Sequence, residues 1–174
     1  MQRSNQLSPA CRQAGNRPAV EIVRVLRKRF KVQYTVGMSS IKSSNIVKLS
    51  VLAAGLTIAL DQSTKWLAEK ANILVVNPGG AFSIANSSPQ LIVWISTAVL
   101  ILLLLWYPKA VPEDKILIAF ILGAGFSNLA DRLTLGGVRD FIDIHWFTIF
   151  NVSDLILTVS TSWLVLRTLF RPPR

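Results

Sequence analysis

The chain has 174 residues, of which 51% are hydrophobic, and a formal net charge of +10 at pH 7. A single cysteine, Cys11, excludes an intramolecular disulfide and a multi-cysteine metal site, and a single histidine, His145, supplies no metal cluster. The positive charge lies on segments flanking apolar runs and no nucleic-acid-binding motif accompanies it, so nucleic acid is not an expected partner.

Residues 1 to 37 are polar and basic and contain no apolar run long enough to cross a membrane. They are expected to be a disordered tail or a membrane-surface extension. Ile22 to Phe30 has the pattern of a short basic amphipathic helix lying on the inner leaflet. An apolar h-region is missing, so a cleaved signal peptide is not expected, and Met38 offers an alternative start. Residues 38 to 174 form the second unit. Four apolar runs there approach the ~20 residues that cross a bilayer core: Ile46 to Leu67, Leu91 to Trp106, Ile116 to Leu135 and Val152 to Leu169. One such run could be a buried helix of a soluble protein; four in series predict an all-α membrane protein with four transmembrane helices and a small extracytoplasmic β-like or loop region.

Lysine and arginine set the orientation, because short cytoplasmic loops retain them. Arg3 through Lys48 precede or open the first span, Lys109 and Lys115 join the second to the third, and Arg167, Arg171 and Arg174 end the chain. The opposite side has only Lys65, Lys70, Arg132 and Arg139. Both termini are therefore expected inside.

This topology gathers the polar residues at the outer end. The first span brings Asp61, Thr64 and Lys65 there at i, i+3, i+4, on one face, and the third brings Asn128, Asp131 and Arg132 at the same spacing. Asn151 and Asp154 occupy the first turn of the fourth, and Asp140 and Asp143 lie in the loop before it. Asp114 is the one aspartate expected inside. Charged groups at such depth persist where they pair or do chemistry. For Asp131 and Arg132, pairing that merely holds helices together is an equal alternative; for Asp140 and Asp154, cations are scarce. Ser127 and Ser153 lie near the site, but a Ser/Lys hydrolase would need an encounter with Lys65 or Lys70 that no motif specifies. Two close carboxylates resist joint ionisation, so one can act as an acid and the other as a base on water. A proton- or ion-coupled transporter would place its carboxylates near the midplane of repeated halves, and no repeat is visible. A noncatalytic binding protein remains open.

Five motifs in order carry a resemblance. Asp61-Gln62-Ser63-Thr64-Lys65 is similar to D-Q-x-[ST]-K, and Asn77-Pro78-Gly79-Gly80-Ala81-Phe82 to N-x-G-x-A-F. Asn128 to Arg132 is similar to N-x-x-D-R, Val138 to Asp143 to V-x-D-F-x-D, and Phe150 to Asp154 to F-N-x-A-D. From about Met38 to its end the chain resembles the lipoprotein signal peptidases (signal peptidase type II) of bacteria. The resemblance implies a membrane-embedded aspartic endopeptidase that removes the signal peptide from diacylglyceryl-modified prolipoproteins, cutting just before the lipidated cysteine. A noncatalytic prolipoprotein-binding protein is the alternative. The implied catalytic pair falls on Asp140 and Asp154. The supporting residues fall on Asp61, Lys65, Asn77, Gly80, Asn128, Asp131, Arg132 and Asn151. No metal or cofactor is implied. The expected partners are the lipidated substrates and membrane lipids, around a monomer in the bacterial inner membrane. Ser127 stands where the family has glycine and Ser153 where it has alanine. The stretches from Lys65 to Asn77 and from Asp143 to Phe150 are shorter than is usual, implying a reduced outer β-like cradle.

Overall fold

The computed structural model describes residues 43 to 79, 89 to 146 and 148 to 171, with isolated positions at 21 and 25. The amphipathic pattern at Ile22 to Phe30 and Gly80 both lie outside the described residues. Among the described residues, four helices are long and apolar enough to cross a membrane. In chain order the elements are α1 (Ser43–Lys70), β1 (Val75–Asn77), α2 (Pro89–Trp106), a 3-10 turn (Tyr107–Lys109), α3 (Pro112–Leu135), β2 (Val138–Asp140) and α4 (Val152–Leu169). All four expected spans are present. Three run past their expected limits by two to four residues at one or both ends, because capping residues carry helices beyond the apolar run.

Each boundary has a local cause. α1 closes on Asn72, whose φ of 54° is the left-handed conformation, and Ile73 N–H turns back to Ala68 O at 3.2 Å. α2 tightens into the 3-10 turn at Pro108. α3 opens with Pro112 in its first turn, where the missing N–H costs nothing, and with Glu113 and Asp114 beside the positive end of the helix dipole. It closes on Gly136, at φ 74°, whose N–H reaches Arg132 O at 3.1 Å. That turn sends the chain directly into β2.

α3 is the central helix. It packs against α1 along a stripe at four-residue spacing: Ala119, Gly123, Ser127 and Asp131, all buried. α1 answers with Ala53, Thr57, Asp61 and Lys65. The approach is close at Gly123, where a Cβ would lie 2.6 Å from Ala54 O and 2.9 Å from Ala54 Cα. Lipid tails are as apolar as leucine, so it is such backbone proximity, and the dispersion it yields, that favours association of membrane helices. The other side of α3 joins an apolar cluster of Leu100, Ile118, Ile121, Leu122, Leu129 and Leu164. The outward faces of α1, α2 and α4 carry Leu56, Leu60, Trp94, Leu102, Leu105, Val159 and Leu169, all exposed, as lipid-facing helices require. At the Pro112 end, Arg167 on α4 donates to Glu113 O at 2.8 Å and lies 3.4 Å from Asp114.

At the opposite end β1 and β2 form a two-stranded antiparallel sheet that pairs Val75 with Asp140, Val76 with Arg139 and Asn77 with Val138. Gly137 permits it, since a Cβ there would meet Asn77 O at 2.8 Å. One further bridge, Ile142 with Phe150, completes a small cradle. The β-like region expected from the sequence is therefore present and small.

Candidate active site

At the cradle end, α1, α3, the sheet and the start of α4 converge on a polar cluster. Lys65 is its centre and is fully buried. Its ammonium lies 2.6 Å from Asp61 and 3.0 Å from Asp131, and donates to Asn128 Oδ1 at 2.8 Å. All three of its donors are thereby engaged, which a buried ammonium requires.

Each of the two carboxylates paired with Lys65 passes the connection on to a main-chain amide. Asp61 Oδ1 accepts from Ser153 N–H at 2.8 Å, and Asp131 Oδ2 accepts from Arg139 N–H at 3.1 Å. Ser153 immediately precedes Asp154, and Arg139 immediately precedes Asp140. One lysine therefore anchors, through two aspartates on different helices, the backbone beside both members of the expected pair.

Asp140 and Asp154 themselves are held differently. Among the described residues neither makes an ion pair. Asp140 is buried and accepts from Asn151 Nδ2 at 2.7 Å and Asn77 Nδ2 at 3.0 Å. Asp154 is half-buried and accepts from Asn128 Nδ2 at 2.9 Å. Asn151 and Asp154 also form a reciprocal helix cap. Asp154 N–H donates to Asn151 Oδ1 at 2.9 Å, while Asn151 N–H points back at Asp154 Oδ2 at 3.4 Å. Because the same Asn151 amide group donates its Nδ2 to Asp140, the cap that starts α4 also connects the two carboxylates. Burial pushes the Asp140 carboxyl above its ordinary value, Asp154 nearby adds to this as a like charge, and the amides of Asn151 and Asn77 oppose it.

Of the supporting residues expected from sequence, Asp61, Lys65, Asn77, Asn128, Asp131 and Asn151 are all in this network. Arg132 is at its edge, with long contacts to the carbonyls of Asn128 at 3.4 Å and Gly79 at 3.5 Å; it does not pair with Asp131. Asp131 instead pairs with Lys65 and Arg139, so the structural alternative considered for it is the one its contacts favour. Thr64 shares the outer end of α1 but turns its hydroxyl to Leu60 O and Asp61 O of its own helix. Asp143 is exposed and accepts from His145 N–H at 2.7 Å, outside the cluster. His145 is exposed too, in a left-handed conformation at φ 64°.

Three residues enter that the sequence did not single out as site residues. Gln62 donates to Ser127 Oγ at 2.9 Å and to Asp131 Oδ1 at 3.1 Å, and Ser127 in turn donates to Asp61 Oδ2 at 2.7 Å. Arg139 grips Asp131 with its side chain as well as its N–H. Gln62 and Ser127 carried a signal, as polar residues on the buried faces of membrane helices; Arg139 carried none beyond its place beside Asp140.

Residues 53 to 170 match the family model described as signal peptidase (SPase) II. The lipoprotein signal peptidase of Acinetobacter baumannii (strain SDF) is 37% identical over 147 residues, covering 70% of this chain and 81% of that protein. That of Syntrophotalea carbinolica is 29% identical over 144 residues, covering 68% and 89%. A bacterial membrane enzyme solved by the in meso method at 2.3 Å resolution superimposes with a TM-score of 0.62 at 25% identity, over 69% of this chain and 87% of that one. With a family model matched over residues 53 to 170 and a relative 37% identical over 70% of the chain, this multi-pass membrane protein belongs to the signal peptidase II family of peptidases.

Proposed function

We propose that the protein is an aspartic endopeptidase that removes the signal peptide from diacylglyceryl-modified prolipoproteins, with Asp140 and Asp154 as the catalytic pair. The observation that carries this reading is the shared Asn151, which donates to one carboxylate while capping the helix that presents the other. Two carboxylates joined in this way, and held by neutral amides instead of cations, keep the capacity to exchange protons that an ion pair would remove.

In this reading one carboxylate takes a proton from water as the water attacks the scissile carbonyl. The other, still protonated, gives its proton to the developing oxyanion or the departing amine. Burial of Asp140 makes its carboxyl hold a proton more readily than an ordinary aspartate, which favours a proton shared by the pair. Asn77 and Asn128 orient the carboxylates, and Arg132, at the rim, is placed to meet a substrate carbonyl. Gly80, in the motif that begins at Asn77, is assigned to substrate support. The diacylglyceryl chains lie in lipid between helices, and the scissile bond reaches the pair from the bilayer edge. Residues 38 to 174 form the peptidase unit and residues 1 to 37 an extension, the protein acts as a monomer in the bacterial inner membrane, both termini are cytoplasmic, and the site faces outward.

The test is a gel-shift assay of wild type, Asp140→Asn and Asp154→Asn on lipidated and unlipidated prolipoprotein. Wild type should cut only the lipidated form, and each variant should lose about 10²- to 10⁴-fold in rate while remaining folded. Undiminished cleavage by either variant would reject the pair. A folded wild type that binds without cutting would leave a binding protein.

A further inference from the structure

In the motif V-x-D-F-x-D the position before the aspartate is free, and this chain fills it with Arg139. Successive side chains leave a strand on opposite faces, so in β2 Arg139 projects away from the face that carries Asp140. There it meets a built acceptor. Its Nε and Nη2 reach Asp131 Oδ2 at 3.3 Å and Oδ1 at 2.8 Å, and Nη2 also donates to Gln62 Oε1. Nη1 lies 3.8 Å from Glu69, and the Arg139 N–H adds a main-chain bond to Asp131 Oδ2. Asp131 does not yield to this pull, being buried and held as well by Lys65 and Gln62.

Such a clasp matters because strand pairing alone holds β2 weakly. The sheet has two strands of three residues each, and a two-stranded sheet of that size is marginal by itself. Catalytic carboxylates must nevertheless be held closely, since a displacement of about 1 Å can cost about a hundredfold in rate.

We propose that Arg139 is a positioning residue for the cleavage reaction: its clasp on Asp131 and Gln62 fixes β2 against α1 and α3 and thereby sets where Asp140 stands relative to Asp154. The proposal rests on the assignment of that pair. It requires the planar, two-pronged guanidinium, because a lysine at 139 retains the charge beside Asp131 but offers one point of attachment.

The experiment measures kcat and KM for lipidated prolipoprotein, per folded molecule, with full-length wild type, Arg139→Lys, Arg139→Ala and Asp140→Asn. Folded protein is quantified by size exclusion and thermal unfolding. Arg139→Lys should fold and lose about tenfold in kcat, and Arg139→Ala about a hundredfold, with KM changed less than about twofold. A folded Arg139→Lys with wild-type kcat, or a loss confined to KM or to the amount of folded protein, overturns the clasp. If Arg139→Ala does not fold, Arg139→Lys decides alone. An active wild type and an inactive Asp140→Asn beside unaffected Arg139 variants would reject the clasp and keep the catalytic pair; an inactive, folded wild type would reject both.

Discussion

Asn77 and Asn151 both donate to Asp140, and both favour its charged form against the opposing effect of burial. On the proposed mechanism the alkaline limb of the pH-rate profile reports loss of the proton shared by Asp140 and Asp154, so it should lie above the range of an ordinary aspartate. Removing one of these donors takes away a contact that stabilises the carboxylate. In Asn77→Ala the proton should therefore be held more tightly and the alkaline limb should move to higher pH, alongside a reduced maximal rate; a limb that moves down would mean that water entering at Asn77 stabilises the charge better than the amide did. At this scale the sequence was informative where chemistry dictates residue type. Asp154 and Lys65 stood out because a membrane helix seldom carries them without use, and Asp140 and Asn151 because they lie in the stretch that leads into one. Arg139 did not, and Gln62 showed only as a polar residue in a span, since their roles depend on which side of α1 and which face of β2 meet Asp131, and spacing along a single element says nothing about its neighbour.

Among the elements, the contact between α1 and α3 carries the site, because Asp61 and Lys65 on one helix and Ser127 and Asp131 on the other continue the stripe that passes through Thr57 and Gly123. A Cβ at Gly123 would press on the backbone of Ala54, which has no soft side chain to move aside. Gly123→Val should thus separate the helices and destabilise the fold by about 1–3 kcal/mol or more, seen as a lower unfolding temperature in detergent, together with a loss of cleavage by the fraction that remains folded. Unchanged stability would show that the helices meet elsewhere. The four spans were legible from their apolar runs, and α4 was placed to the residue. Its capping pair, Asn151 and Asp154, lies where the polar loop gives way to the run. The start of α3 was set four residues too late, because Pro112, Glu113 and Asp114 read as loop in a hydropathy scan although they are favourable first-turn residues. The partner of β1 was illegible, since two three-residue strands distant in sequence carry no periodic signal.

At the scale of the whole molecule, polarity is concentrated at the two ends of the bundle. One end has the Lys65 network; the other has Arg167 with Glu113 and Asp114. The distribution of basic residues leads to the expectation that the Arg167 end faces inside. In a cysteine-free background with Cys11→Ser, a cysteine introduced at exposed Ile73 should react with an impermeant maleimide from the outer side of intact spheroplasts. One at Lys109 should react only after the membrane is opened. The reverse pattern would invert the topology and place the network in the cytoplasm.

The placement of Lys65 four residues after Asp61 also bears on how the chain enters the membrane. α1 is made first and carries its own counter-ion, so it can leave the aqueous channel of the insertion machinery with that pair already neutralised along one face. α3 has no such self-sufficiency at Asp131, whose neighbour Arg132 points elsewhere. Its carboxylate pairs with Lys65 of a helix made earlier and with Arg139 of the strand that follows α3. Lys65 is therefore in place before α3 arrives, and the lysine that anchors the backbone beside Asp140 and Asp154 acts first as the docking point for the central helix.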